Sequence, residues 1–148
     1  MYVCKMTAEH IGDVVSISAG CFGSEAWSET AMSDELSNPN AFNLVCIDEK
    51  NTVVAFGGLR NNLGECYVTN IAVRSDFRRQ GAASAILTEM LDYAKKCNAL
   101  FLTLEVRKSN ISAQKLYEAF GFSVAGHRKN FYTHPTEDAV IMTKWKKL

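Results

Sequence analysis

The chain has 148 residues, the length of one ordinary domain, and 47% of them are hydrophobic, enough for a core. Sixteen basic residues balance sixteen acidic ones, which argues against a nucleic-acid binder working through a broad basic field. No apolar run approaches the roughly 18 residues of a membrane span, the opening Met1-Tyr2-Val3-Cys4-Lys5 lacks signal-peptide architecture, and five widely spaced cysteines without a CxxC pair point to reduced thiols rather than disulfides or zinc. The expectation is one cytoplasmic domain over residues 1–148, a monomer or weak dimer, with neither nucleic acid nor membrane as partner.

Taken in chain order, Tyr2 to Met6 reads as a short strand, and Thr7 can cap a helix with Ile11, Val14, Val15 and Ser18 on one face. A second helix begins at Ser28 and ends before Pro39. Phe42 to Ile47, Thr52 to Leu59 and Glu65 to Val73 read as an antiparallel meander, joined by the turns Asp48-Glu49-Lys50-Asn51 and Asn61-Asn62-Leu63-Gly64. Gln80 to Cys97 is helical, with Ile86, Leu87, Met90, Leu91, Tyr93 and Ala94 on a broad apolar face. Leu100 to Val106 is a strand, and Asn110 to Phe120 a short helix stopped by Gly121. Phe122 to Gly126 and Ala139 to Trp145 complete the set. The elements predict an α/β (α+β) fold, a mixed sheet of about seven strands with about four helices. At its centre is a strand–helix–strand unit, and ligands in such sheets favour the carboxyl ends of strands.

The most informative stretch is Asn70-Ile71-Ala72-Val73-Arg74-Ser75-Asp76-Phe77-Arg78-Arg79-Gln80-Gly81-Ala82-Ala83-Ser84. A strand ends, a loop follows, and a helix opens on small residues. The first turn of a helix carries unpaired N–H groups and partial positive charge. Gly81, Ala82, Ala83 and Ser84 let a ligand approach the backbone, and Arg78 and Arg79 add positive charge, which together suit a pyrophosphate. The alternative is a helix terminus with solvated arginines. GxGxxG and GxxxxGK[ST] are both absent.

Arg78-x-x-Gly81-x-Ala83 resembles the Q/R-x-x-G-x-G/A signature of GNAT acetyltransferases. The resemblance implies the GNAT fold and acetyl-CoA as cosubstrate. It also implies that Ile71, Ala72 and Val73 run beside the pantetheine arm, and that Arg78, Arg79, Gln80, Gly81, Ala82, Ala83 and Ser84 form the phosphate cradle.

Alternation along Leu100 to Val106 puts Phe101, Thr103 and Glu105 on one face. Glu105 closes this strand as a candidate general base, or else as an exposed strand-end charge or a partner for Arg107. Tyr117 lies on the next helix, where packing beside Leu116 is the competing role, and Asn110 fits the helix cap. The run Glu105-Val106-Arg107-Lys108-Ser109-Asn110, followed by Ala113, Leu116-Tyr117-Glu118 and Gly121-Phe122, is similar to bacterial RimI-type enzymes, which acetylate the N-terminal alanine of a ribosomal protein. By that resemblance Glu105 is the proton acceptor, Tyr117 the proton donor and Asn110 a cofactor contact.

Cys21-Phe22, Trp27-Ser28 and Arg128-Lys129-Asn130-Phe131-Tyr132 resemble the family's substrate-side segments, which implicates Phe22, Trp27 and Tyr132 in acceptor binding. Ala26 stands where a proline is common, and Phe131-Tyr132 where a double tyrosine is frequent. The implied reaction is direct attack of an amine on the thioester in a ternary complex. An α-amine titrates near ~7.7–8.0 and a lysine near ~10.4, so one carboxylate prepares the α-amine more easily, by about 3.5 kcal/mol at neutral pH. A ribosomal-protein N-terminus is the expected acceptor. A small amine such as a polyamine or aminoglycoside, met by Glu25, Glu29, Asp34 and Glu35, is the alternative, and a non-catalytic acyl-CoA sensor is a third reading. No cysteine has an adjacent base for a ping-pong route. His10, His127 and His134 show no metal-ligand spacing, so no metal is expected.

Overall fold

The computed structural model describes residues 1–146. Its strands are β1 (Tyr2–Lys5), β2 (Ala41–Ile47), β3 (Val53–Asn62), β4 (Glu65–Val73), β5 (Phe101–Arg107), β6 (Ser123–Tyr132) and β7 (Glu137–Trp145). Its helices are α1 (Ile11–Phe22), α2 (Glu29–Leu36), α3 (Ala82–Lys96) and α4 (Ile111–Ala119). The seven strands form one mixed sheet in the order β1-β2-β3-β4-β5-β7-β6. Among the described residues, β4 and β5 are the one parallel pair.

Two apolar layers sandwich the sheet. On one face α3 sends Ala82, Ile86, Leu87 and Met90 into a core with Leu44, Val54, Leu102, Leu104 and Val106. A Cβ on Gly57 of β3 would meet Ile86 Cγ2 at 2.8 Å and Met90 Cε at 2.9 Å, so a glycine lets α3 close down on the strand. On the other face Val14 and Ile17 of α1 and Met32 of α2 cover Val45, Phe56 and Ala72. Each large side chain so buried contributes about 1.5–3 kcal/mol. β3 is apolar on both sides from Val53 to Leu59, as a central strand must be.

The feature that shapes the site lies between β4 and β5. Their register runs from Glu65↔Phe101 to Tyr67↔Thr103 and then stops. β5 stays paired with β7 as far as Arg107↔Ala139, while β4 stays on β3. A bulge at Thr69 redirects β4 where the two strands part: Gly58 pairs with Asn70, Leu59 with Val68, and Thr69 is the extra residue. The edges of β4 and β5 therefore open into a wedge.

Several boundaries differ from the sequence pattern. Thr7 opens a short 3-10 turn at Ala8–His10, with its N–H on His10 Nδ1 at 2.9 Å, and α1 begins only at Ile11. Ile17 rather than Val15 completes the buried face of α1. The β3–β4 turn is the pair Leu63-Gly64, both at positive φ (55° and 91°), so Asn61 and Asn62 belong to β3. α3 starts at Ala82, because Arg79 (φ 62°) and Gly81 (φ 86°) are left-handed and cannot be helical. β6 continues past Gly126 to Tyr132. Its register shifts at Val124/Gly126 and Arg128/Tyr132 break the period-2 alternation by which a strand is recognised.

Candidate active site

The wedge between β4 and β5 is the floor of a cleft of about 750 Å³. The segment after α1 and the β6–β7 turn form its walls. Ile71, Glu105, Asn110, Tyr117, Phe22, Trp27 and Tyr132, from five separate parts of the chain, all line it.

β5 positions Glu105 by simple alternation. Leu102, Leu104 and Val106 face the α3 core, so Glu105 turns to the opposite face. It remains 31% exposed, and Arg128 Nε lies 3.7 Å from its Oε2, an ion pair longer than a hydrogen bond. Arg107 is not its partner. That guanidinium bonds Glu137 Oε1 at 3.2 Å, Pro135 O at 3.0 Å and Thr133 O at 3.2 Å, and it lies 4.5 Å from the centre of the Tyr132 ring.

Tyr117 packs with its ring 5.9 Å from Phe122 and against the α3 core, and it also lines the cleft. Burial pushes its phenol up to about 12. Tyr132 is also pushed up to about 12, by burial first and then by the Glu105 charge. Both phenols are therefore protonated at neutral pH. Asn110 caps α4, its Oδ1 accepting from the Ala113 N–H at 3.1 Å, and it lines the cleft as well. Trp27 is held by its backbone: its N–H donates to the fully buried Ser18 hydroxyl at 2.9 Å.

Arg107, Glu25, Thr133 and Glu137 form a clasp that sequence reasoning did not find. Glu25 Oε1 accepts from both the Thr133 N–H (3.0 Å) and its hydroxyl (2.7 Å), and those bonds hold its carboxyl below the usual range. Glu137 accepts from the Ser109 N–H, which lowers its carboxyl likewise. The clasp ties the segment after α1 to the β6–β7 turn across the cleft. Its partners lie up to 108 residues apart, so no local spacing announces them. Of the four acidic residues weighed for a small cationic acceptor, Glu25 is engaged in this clasp and Glu35 binds Arg60 through two bonds of 3.0 and 2.6 Å. Glu29 and Asp34 are exposed outside the cleft.

The loop after β4 fits a diphosphate. Gly81 caps α3 at φ 86°, no side chain bonds the first-turn amides, and no acidic residue sits in that turn. The first N–H turned inward is that of Ala85, on Gly81 O at 2.9 Å, which leaves the amides of Gly81, Ala82, Ala83 and Ser84 without partners among the described residues, as an anion site requires. Arg78, Arg79 and Gln80 are exposed around it, with Arg78 also 3.8 Å from the Cys21 thiol. Ala82 is buried against the core, so only its backbone is available. Ile71 lines the cleft. Ala72 packs into the core of the α1–α2 face, and Val73 O accepts from the Cys21 thiol at 3.4 Å.

Comparison with known proteins agrees with this geometry. The acetyltransferase (GNAT) family model matches residues 12–122. A Bacillus subtilis (strain 168) protein, named provisionally as a [ribosomal protein bS18]-alanine N-acetyltransferase, is 35% identical over 140 residues, 95% of this chain and 92% of that protein. The Escherichia coli (strain K12) [ribosomal protein bS18]-alanine N-acetyltransferase is 40% identical over 98 residues, 65% of this chain and 66% of the relative. The crystal structure of the ribosomal-protein-S18-alanine N-acetyltransferase from Escherichia coli superposes with a TM-score of 0.87 at 30% identity, covering 99% of this chain and 94% of the other. A wedge between two parting strands, a free helix mouth beyond it and these likenesses lead to one conclusion: the chain belongs to the acetyltransferase (GNAT) family and transfers acetyl groups from acetyl-CoA.

Proposed function

We propose that the chain acetylates the N-terminal α-amine of a protein, with a ribosomal-protein N-terminus beginning in alanine as acceptor. The observation that carries this reading is the meeting of Glu105 and Tyr117 in one cleft that opens along β4. The names of the relatives supply the acceptor class. Free thiols at all five cysteines fit a reducing cytoplasm as the place of action.

Acetyl-CoA brings an activated thioester carbonyl. The amides of Gly81 to Ser84 hold its diphosphate, and the edge of β4 that has left β5 receives the arm. Backbone amides near Ile71 and Val73 stabilise negative charge growing on the carbonyl oxygen. Glu105 takes the proton from the acceptor amine, directly or through a water. Tyr117 donates to the departing sulfur. A phenol near 12 sits about 3.5 units above an ordinary thiol at ~8.5, so complete transfer is uphill by roughly 5 kcal/mol. Tyr117 therefore acts by hydrogen-bonding the sulfur as the C–S bond breaks, not by giving its proton away beforehand.

Phe22, Trp27 and Tyr132 flank the acceptor's first residues. The clasp engages Glu25 and Glu137, Arg60 engages Glu35, and Glu29 and Asp34 lie outside the cleft, so the carboxylates weighed for a polyamine are not gathered free at the site, which favours a peptide. The test is an acceptor panel of peptides, polyamines and aminoglycosides, read by thiol release and by mass spectrometry to locate the acetyl group. Acetylation of an alanine α-nitrogen is expected. Transfer to polyamines alone, or none at all, overturns the reading.

A further inference from the structure

We propose that the open sheet face running from Glu105 to Trp145 is a second acceptor subsite, which takes an apolar or aromatic side chain about four residues into the acceptor polypeptide. The inference rests on the reading that the acceptor is a protein N-terminus.

α1 and α2 cover only part of their side of the sheet. The core beneath them draws on β2, β3 and Ala72 of β4, and no residue of β5, β6 or β7 belongs to it. On the uncovered part, Phe101, Thr103 and Glu105 of β5 share one face by alternation. Their partners in the β5–β7 register, Trp145, Thr143 and Ile141, share it too. Tyr67, opposite Thr103, completes the floor. Three aromatic rings meet edge to face at its far end: the centre of Phe101 lies 5.7 Å from that of Tyr67 and 5.1 Å from that of Trp145. Trp145 is nevertheless 63% exposed and Tyr67 43%. Contiguous apolar surface left open in this way marks a place of contact.

The face forms a groove of about 220 Å³ that continues the catalytic cleft, since Val68, Leu104 and Glu105 line both. At the carboxyl end of β5 the clasp from Glu25 to Thr133 crosses the cleft. The chain behind an amine held at Glu105 therefore runs the other way, toward Phe101. A strand rises about 3.3 Å per residue, so Glu105 to Phe101 spans roughly 13 Å, the reach of about four extended acceptor residues. The chemistry of the groove selects what it takes. The Thr103 and Thr143 hydroxyls bond each other at 2.7 Å, and Thr103 also donates to Met142 O at 3.2 Å. Its two charged groups, Glu105 and Arg128, pair with each other at the end nearest the cleft. The remaining floor asks for no charge, and its exposed rings favour another apolar or aromatic group. A second copy of the chain fits less well: ten residues line the groove, against roughly 20–30 a side in a stable interface.

The experiment scans one phenylalanine from the second to the sixth position of an alanine-initiated hexapeptide that is otherwise serine. The wild-type enzyme is expected to prefer phenylalanine at the fourth or fifth position by about tenfold in kcat/KM over the all-serine peptide, the effect of burying one such ring. In Tyr67→Ala and Trp145→Ala, which remove exposed rings, that preference is expected to fall to within about twofold. A merely structural role for these rings would slow every peptide alike and keep the preference, and that result overturns the inference. So does a wild-type enzyme that acetylates the peptides but is indifferent to where the phenylalanine stands. A chain that sediments as a dimer, becomes monomeric on Trp145→Ala and keeps the preference assigns the face to a second copy and overturns it as well. Absence of any peptide transfer by the wild type instead removes the acceptor reading itself, and this inference with it.

Discussion

Substitution of Gly81 by alanine separates the phosphate cradle from the chemistry. Gly81 lies at φ 86°, ψ 7°, where an L-residue is strained by roughly 1–2 kcal/mol. A Cβ there meets nothing within 4 Å, so no steric clash adds to that strain. At about 1 kcal/mol, the melting temperature of a chain of this length should fall by ~2–4 °C. On the proposed reading, the same methyl adds bulk where a diphosphate would approach the amides. Loss of one charge-assisted hydrogen bond, about 1.5–3 kcal/mol, predicts an acetyl-CoA Kd weaker by about 10- to 150-fold.

Isothermal titration with acetyl-CoA, beside kcat at saturating acetyl-CoA, gives both readouts. The Kd should rise with kcat nearly unchanged, because Glu105 and Tyr117 are untouched. Gly20→Ala is the control. Gly20 is exposed on α1 with nothing within 4 Å of a new Cβ, and that change should stabilise by about 0.5–1 kcal/mol without altering either constant. A Gly81→Ala variant that melts lower but binds acetyl-CoA as tightly as wild type would refute the cradle.

Glu105→Gln should lower kcat by about 10²–10⁴ at all pH values where the acceptor is the same, with acetyl-CoA affinity retained; near-normal turnover would remove the base from the mechanism. Tyr117→Phe should slow turnover, and a loss matched by unfolding in a thermal melt would assign the phenol to packing alone. The Tyr117 phenol also links stability to alkaline pH. It is protonated up to about 12 when folded but ionises near ~10 when unfolded, so its contribution is full below pH ~10 and is lost as pH rises toward ~12, by an order of 2–3 kcal/mol. Denaturant titrations from pH 9 to 11.5 should show a shallower decline in Tyr117→Phe. Arg107→Ala opens the clasp at Thr133, Pro135 and Glu137 and should raise the peptide KM several-fold with acetyl-CoA Kd unchanged. Steady-state kinetics that show the reverse would separate the clasp from acceptor binding.

Much of the fold was legible from pattern. The apolar spacing of Ile86, Leu87 and Met90 reports α3 because a helix buries one stripe, and the alternation of Leu102, Leu104 and Val106 reports β5 because a strand buries one face. That same alternation already aims Glu105 away from the core. Gly81 among small residues after a strand marks the proposed cradle, since close backbone approach depends on residue type and not on distant partners. Bulges erased the rest of the signal: β6 lost its period at Val124/Gly126, and its continuation to Tyr132 went unread.

Local chemistry along the chain thus determined which segments are helix or strand and which face each buries. What only the tertiary structure decided is who meets whom. Arg107 passes over Glu105 for Glu137 and the turn carbonyls, and Glu25 reaches Thr133 across 108 residues. Such meetings depend on how strands separated in sequence are ordered and splayed, and periodicity, which records only a residue's own burial, carries no trace of them.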